Sequence, residues 1–227
     1  MASEAEKRLR DKAEGLLREI YPDARIVHEF QVGGARLDIA AITPDRIILV
    51  EIKSELDTLD RLPSQLRFAR ALGGEVWVVY APKWREPMKL RRNHQDIARP
   101  VQRQGYTTYA DNPLYVRELS SCVELTEDSE TSELVMADFG THPRVRAESP
   151  HKFWMRDRYN SRELLHLLLK PELFSLAKPY GAKSRNDVSS LLEIAHDHMT
   201  GQEIRRGVFS ALRARRFGWT CDDAIAA

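Results

Sequence analysis

Three carboxylates and one lysine carry the pattern with the most chemistry in it. Glu29, Asp38 and Glu51 fall on three successive apolar runs, and Lys53 follows two residues after Glu51. The runs Arg25 to Gln31, Ala35 to Ile42 and Arg46 to Lys53 are rich in Val, Ile, Leu or Phe and read as strands. A two-residue hairpin at Gly33-Gly34 sets Val32 opposite Ala35 and Glu29 opposite Asp38. A turn from Thr43 to Arg46 sets Ile42 opposite Ile47 and Asp38 opposite Glu51. The carboxylates then stand abreast on one face of a sheet, with opposed Cβ atoms roughly 4.5–5.5 Å apart, where like charges are destabilising unless a cation shares them. Lys53 returns to the face of Glu51 about 7 Å further along its strand. Hard oxygen ligands select Mg²⁺ or Mn²⁺, and a metal beside an ammonium group suits phosphodiester hydrolysis. Taken alone, D-x(12)-E-x-K is a weak signal in a chain that is 30% charged, and the alternative is a set of solvated sheet charges with Lys53 as their salt-bridge partner.

The surrounding elements favour the chemical reading. Ile47-Ile48-Leu49-Val50 is apolar on both faces, as a strand covered on both sides is, so Glu51 stands at the end of a buried strand. Upstream, Leu9, Ala13, Leu16, Leu17 and Ile20 form a helical stripe, opened by Ser3 and Glu6 in a capping-box spacing. Downstream, Pro63 to Arg70 reads as a short helix with proline in its first turn and Gly73-Gly74 at its end. Val76 to Tyr80 is a fourth strand. The order is α-β-β-β-α-β, a mixed α/β (α+β) fold.

With Asp38 and Glu51-Ile52-Lys53 on successive strands, this order resembles the PD-(D/E)XK nuclease superfamily, whose restriction-endonuclease-like core is a mixed sheet flanked by helices. The chain is more closely similar to a small bacterial and phage family within it. The matching residues are Glu29, Arg36-Leu37-Asp38-Ile39-Ala40, Glu51-Ile52-Lys53-Ser54 and Asp57-Thr58-Leu59-Asp60-Arg61-Leu62-Pro63-Ser64-Gln65. The likeness spans residues 25 to 82; Leu37 stands where the superfamily pattern has proline. It implies Asp38 and Glu51 as metal ligands, the Ile52 carbonyl as a third, Lys53 as the catalytic lysine, and Glu29 as a further ligand or the holder of a metal-bound water. Gln65 would contact DNA or orient the site. Arg36 and Ser54 within the motifs, with Lys83, Arg85, Arg91 and Arg92 beyond the fourth strand, are the expected nucleic-acid contacts. The implied activity is Mg²⁺- or Mn²⁺-dependent cleavage of DNA by an endonuclease in repair, phage biology or defence, and a homodimer is one arrangement such enzymes use. A non-catalytic DNA-binding or protein-interaction module on the same fold is the alternative, and an RNA-directed nuclease a third.

A chain of 227 residues, 42% of them hydrophobic, is long enough for one core and a smaller domain. We expect a nuclease-like domain over residues 1–118, a linker over 119–150, acidic at first and then interrupted by Gly140, Pro143 and Pro150, and a helical C-terminal domain over 151–227. Its helices read as Ser161 to Lys170, Val188 to Met199 and Gln202 to Phe217. With a net charge of +1, any nucleic-acid surface must be local. Lys83, Arg85, Lys89, Arg91, Arg92, Arg99 and Arg103 form one such cluster, and Arg205, Arg206, Arg213, Arg215 and Arg216 a second, where complementing a helix dipole is the simpler role. No apolar run spans a bilayer and no signal-peptide core precedes Arg10, so the expected location is cytoplasmic. Cys122 and Cys221 read as reduced structural thiols. His196 and His198, two apart on a helix, face different ways; His28 alternates away from the acidic row; Trp77 and Trp84 suit core and rim. No Walker loop or dinucleotide fingerprint calls for a nucleotide cofactor.

Overall fold

The computed structural model describes residues 3–92, 100–103, 106–109, 122–128, 130–137, 159–218 and 222–225. Helix α1 (Glu4–Ile20) is followed by strands β1 (Arg25–Val32), β2 (Ala35–Ile42) and β3 (Ile47–Lys53), helix α2 (Leu62–Ala71) and strand β4 (Glu75–Tyr80). A 3₁₀ turn at Pro82–Trp84 leads into α3 (Arg85–Arg92). Strands β5 (Pro100–Arg103) and β6 (Tyr106–Tyr109) pair with each other as a separate ribbon, and β7 (Val123–Glu127) and β8 (Leu134–Met136) rejoin the main sheet. Helices α4 (Ser161–Leu165), α5 (Lys170–Ala177), α6 (Val188–His198) and α7 (Gly201–Ala214) complete the described chain.

The main sheet runs β1-β2-β3-β4-β7-β8. Its first three strands are antiparallel, β4 and β7 follow parallel to β3, and β8 closes antiparallel. Both hairpins have the expected register, with Val32 opposite Ala35 and Ile42 opposite Ile47. Every residue of β3 is buried, because the sheet is covered on both faces. One face receives Leu9, Ala13 and Leu17 of α1 against Ile26, Ile39, Ile48, Val50, Trp77 and Val79. The other receives Leu62, Leu66 and Ala69 of α2 and the apolar stripes of α4 to α7. The mixed α/β class and the helical C-terminal region are therefore as the sequence indicated.

Two expectations are corrected. The stretch expected as a linker contains β7 and β8, and β7 lies beside β4 inside the sheet. The acidic residues that suggested a solvated connector are buried at Glu124 and Glu127, and Glu127 is neutralised by Arg8 and Lys12 of α1. The C-terminal helices do not form a core of their own either: Leu164, Leu191, Ile204, Val208 and Leu212 share one apolar cluster with Val27, Leu49 and Val76 of the sheet. At a finer level, the helix expected over Ser161 to Lys170 splits, since Leu169 is extended and Pro171 opens a new helix. The Thr200–Glu203 capping box closes in both directions. At Ser3 only half of one forms, because the Glu6 carboxylate turns to Arg10 at 2.6 Å.

Candidate metal centre and its cavity

Side-chain alternation fails at one place in the sheet, and that place is the site. Val27 and Phe30, three apart on β1, pack into the same apolar cluster, as do Leu37 and Ala40 on β2. The reset occurs at Glu29, whose φ is +52°, a region L-residues seldom visit. The β1–β2 ladder continues in the same register on either side, but Glu29 and Asp38, which stand opposite, do not pair. The β2–β3 ladder likewise stops at Ile39 and Val50. Beyond it the Asp38 carboxylate replaces a backbone acceptor, with Ile52 N–H donating to Oδ2 at 2.6 Å. Local backbone strain of this kind gathers at functional sites.

Glu51 and Lys53 are 2% and 3% exposed. Lys53 Nζ lies 2.8 Å from Glu51 Oε1 and donates to Gln65 Oε1 of α2 at 3.1 Å. Glu51 Oε2 is buried with no hydrogen-bond partner among the described residues. Burial and the nearby Asp38 carboxylate push Glu51 up to about 8, against the pull of Lys53. Burial likewise raises Asp38 to about 6, opposed by the Ile52 amide and by Lys53. Two desolvated carboxylates therefore share one ammonium group, and one oxygen remains unsatisfied.

All of these groups line one cavity of about 540 Å³, together with Ile52, Glu29, Glu6, Arg36, Arg61 and Ser64. Glu29 is committed to arginines, Arg36 at 2.9 Å and Arg10 of α1 at 3.5 Å. Glu29, expected as a further ligand or the holder of a metal-bound water, thus lines the cavity as the partner of two arginines. Among the described residues no three carboxylate, imidazole or thiol groups converge to hold a metal ion. Asp38 and Glu51 still fit Mg²⁺, which takes one or two carboxylates and keeps several waters; the partnerless Glu51 oxygen is the observation that makes the fit. The hairpin beside the cavity is held to α2 by Phe68, whose ring lies so close to Gly33 and Gly34 that a Cβ at either would approach it to 2.8 Å.

Asp38, Glu51, Lys53, Gln65, Ile52, Glu29 and Arg36 are thus gathered in one place. Ser54 is not available: it is 1% exposed, and its amide and hydroxyl both donate to Asp57 Oδ2. Lys83 and Arg85 are exposed on the stretch after β4 and do not line the cavity. Lys83 lies over the Trp84 ring and donates to the Glu55 carbonyl. Arg91 is half-buried on α3, while the side chain of Arg92, together with Arg99 and the side chain of Arg103, falls outside the described residues. His28 meets Glu14 at 2.6 Å, away from the site, and His198 stacks on Tyr180. Trp77 and Cys122 are buried; Cys221 is outside the described residues. Three residues went unnoticed as site members. Glu6 and Arg10 lie on α1, and no local signal in the sequence places them beside Asp38. Arg61 lay inside the motif, and its position just before α2 was the available clue.

Among the described residues no helix is long and apolar enough to cross a membrane. No curated protein and no solved structure matches the chain. The family described as bacteriophage P4 protein cII does match, over residues 13–97. That segment carries the end of α1 from Ala13, the first four strands, α2 and α3, and hence nearly the whole cavity, so the chain is similar to this phage protein in the part that holds the site.

Proposed function

We propose that the chain is a divalent-metal-dependent nuclease that hydrolyses DNA phosphodiester bonds at Asp38, Glu51 and Lys53. The observation that carries this reading is the Glu51 carboxylate. It is held out of water with one oxygen on Lys53 and the other without a geometric hydrogen bond to any described residue, a costly arrangement that a bound cation would relieve. Asp38 and Glu51 would hold Mg²⁺ or Mn²⁺, which supplies Lewis acidity and neutralises charge at the phosphate. The chain's own contributions are positional. Ile52 N–H fixes one Asp38 oxygen. Gln65 receives Lys53 and donates towards the Arg36 carbonyl at 3.5 Å, which ties α2 to the strand carrying Asp38. Lys53 Nζ can hold the attacking water or a phosphate oxygen, and can carry a proton between them. The likeness to a phage protein is compatible with a role in phage biology.

The rival is a non-catalytic DNA-binding or interaction module in which Lys53 neutralises Glu51 permanently. What favours it is the lack of three converging ligand groups among the described residues. Cleavage of supercoiled, linear and single-stranded DNA with Mg²⁺, Mn²⁺ or EDTA decides between them. Metal-dependent cutting that falls by about 10²-fold or more in both Asp38→Ala and Lys53→Ala supports the nuclease. Absence of cutting with DNA still bound equally by all three proteins supports the module.

A further inference from the structure

We infer that Arg61 is the residue that grips a DNA phosphate at the mouth of the cavity, which rests on the nuclease reading and adds a substrate contact to it. Among the described residues three cations line the cavity, and two are already spoken for. Lys53 is held by Glu51 and Gln65, and Arg36 by Glu29. Arg61 is exposed, and its guanidinium makes no hydrogen bond or ion pair with any described residue. The anions that could have claimed it are engaged elsewhere, Asp57 by Ser54 and Glu6 by Arg10.

Its placement is fixed although its side chain is free. The Arg61 carbonyl accepts from Gln65 N–H at 3.0 Å and from the Ser64 hydroxyl at 2.8 Å, so the residue is locked to the turn of helix that also carries Gln65 to Lys53. A guanidinium fork suits a phosphate by paired hydrogen bonds. Standing at the rim above buried carboxylates, it offsets their repulsion of a phosphodiester.

The test is equilibrium binding of a fluorescent DNA oligonucleotide across a salt series, with Ca²⁺ added, comparing the native chain, Arg61→Gln, Arg61→Lys and Arg67→Gln. Arg67 is exposed on α2 and does not line the cavity. Arg61→Gln is expected to weaken binding roughly five- to tenfold near 0.1 M salt and to lower the slope of log affinity against log salt by about 0.7 to 0.9, the loss of one phosphate contact. Arg61→Lys should restore most of the slope, and Arg67→Gln should leave it unchanged. Native-like binding and slope in Arg61→Gln overturn the inference while leaving the nuclease reading in place; a native chain that binds no DNA overturns both.

Discussion

Two buried charges sit on this sheet in opposite circumstances. Arg25, at the start of β1, is 1% exposed, and its guanidinium donates to the carbonyls of Leu212, Arg213 and Arg215 at 2.6–2.9 Å and of Asp222 at 3.2 Å. Phe217 lies beneath it at 5.2 Å. It satisfies the carbonyls at the end of α7 that no helical amide can reach. Glu51 is equally buried but keeps an oxygen without a partner, and its neighbour Asp38 makes matters worse. Desolvation is costly in both places. Arg25 is compensated in full and fastens the C-terminal helices to the sheet, whereas Glu51 is compensated only in part. The difference separates a charge satisfied within the fold from one that the fold leaves partly unsatisfied.

The largest effect expected is at Arg25. Arg25→Met removes the donor that four carbonyls share and should cost about 3–5 kcal/mol in urea unfolding. A loss below about 1 kcal/mol would mean that the clamp does not hold the tail and would remove one side of the comparison.

Glu51 should respond in the opposite direction. Its pKa in the folded chain, about 8, lies above the ordinary 4.5, and that of Asp38, about 6, lies above 3.8. Each folded carboxyl therefore holds its proton more tightly than the unfolded one. The stability this gives is fully present below the ordinary values and is lost as pH rises through the folded ones. Metal-free protein should become less stable between about pH 4 and 8. Glu51→Gln should be more stable than the native chain at pH 8, and its remaining pH slope should end near 6, where Asp38 has titrated.

A smaller effect, of opposite sign in pH, is expected at Asp222, which receives Arg18 at 2.7 and 3.0 Å and the Ile26 amide at 2.9 Å. Those partners hold its carboxyl below 3.8 although burial opposes them, so its contribution is present above that value and disappears as pH falls through the lowered one. Asp222→Ala should cost about 1 kcal/mol at neutral pH in the same unfolding assay, and nothing in strong acid. An equal loss at both pH values would contradict the pairing.

Much of the site could be read from the sequence because its placement is local. Two short turns fix the registers of β1, β2 and β3, and Pro63 with Gly73 bounds the helix that delivers Gln65. What could not be read depends on partners far along the chain. Arg25 looked like an ordinary strand residue because its carbonyls lie nearly 190 residues away. Val123 to Glu127 looked like a connector because the cations that neutralise Glu127 lie on α1. Strict alternation cannot show the reversal at Glu29, since that depends on a backbone angle no side-chain pattern reports.

The central claim is that the unsatisfied Glu51 oxygen is a place kept for a cation. Thermal unfolding at pH 8 with and without Mn²⁺, for the native chain and Glu51→Gln, tests it without requiring turnover. The account predicts that Mn²⁺ raises the native midpoint, by preferential binding to the folded state, and leaves the variant where it is. Equal shifts in both proteins, or none in the native chain, would contradict it.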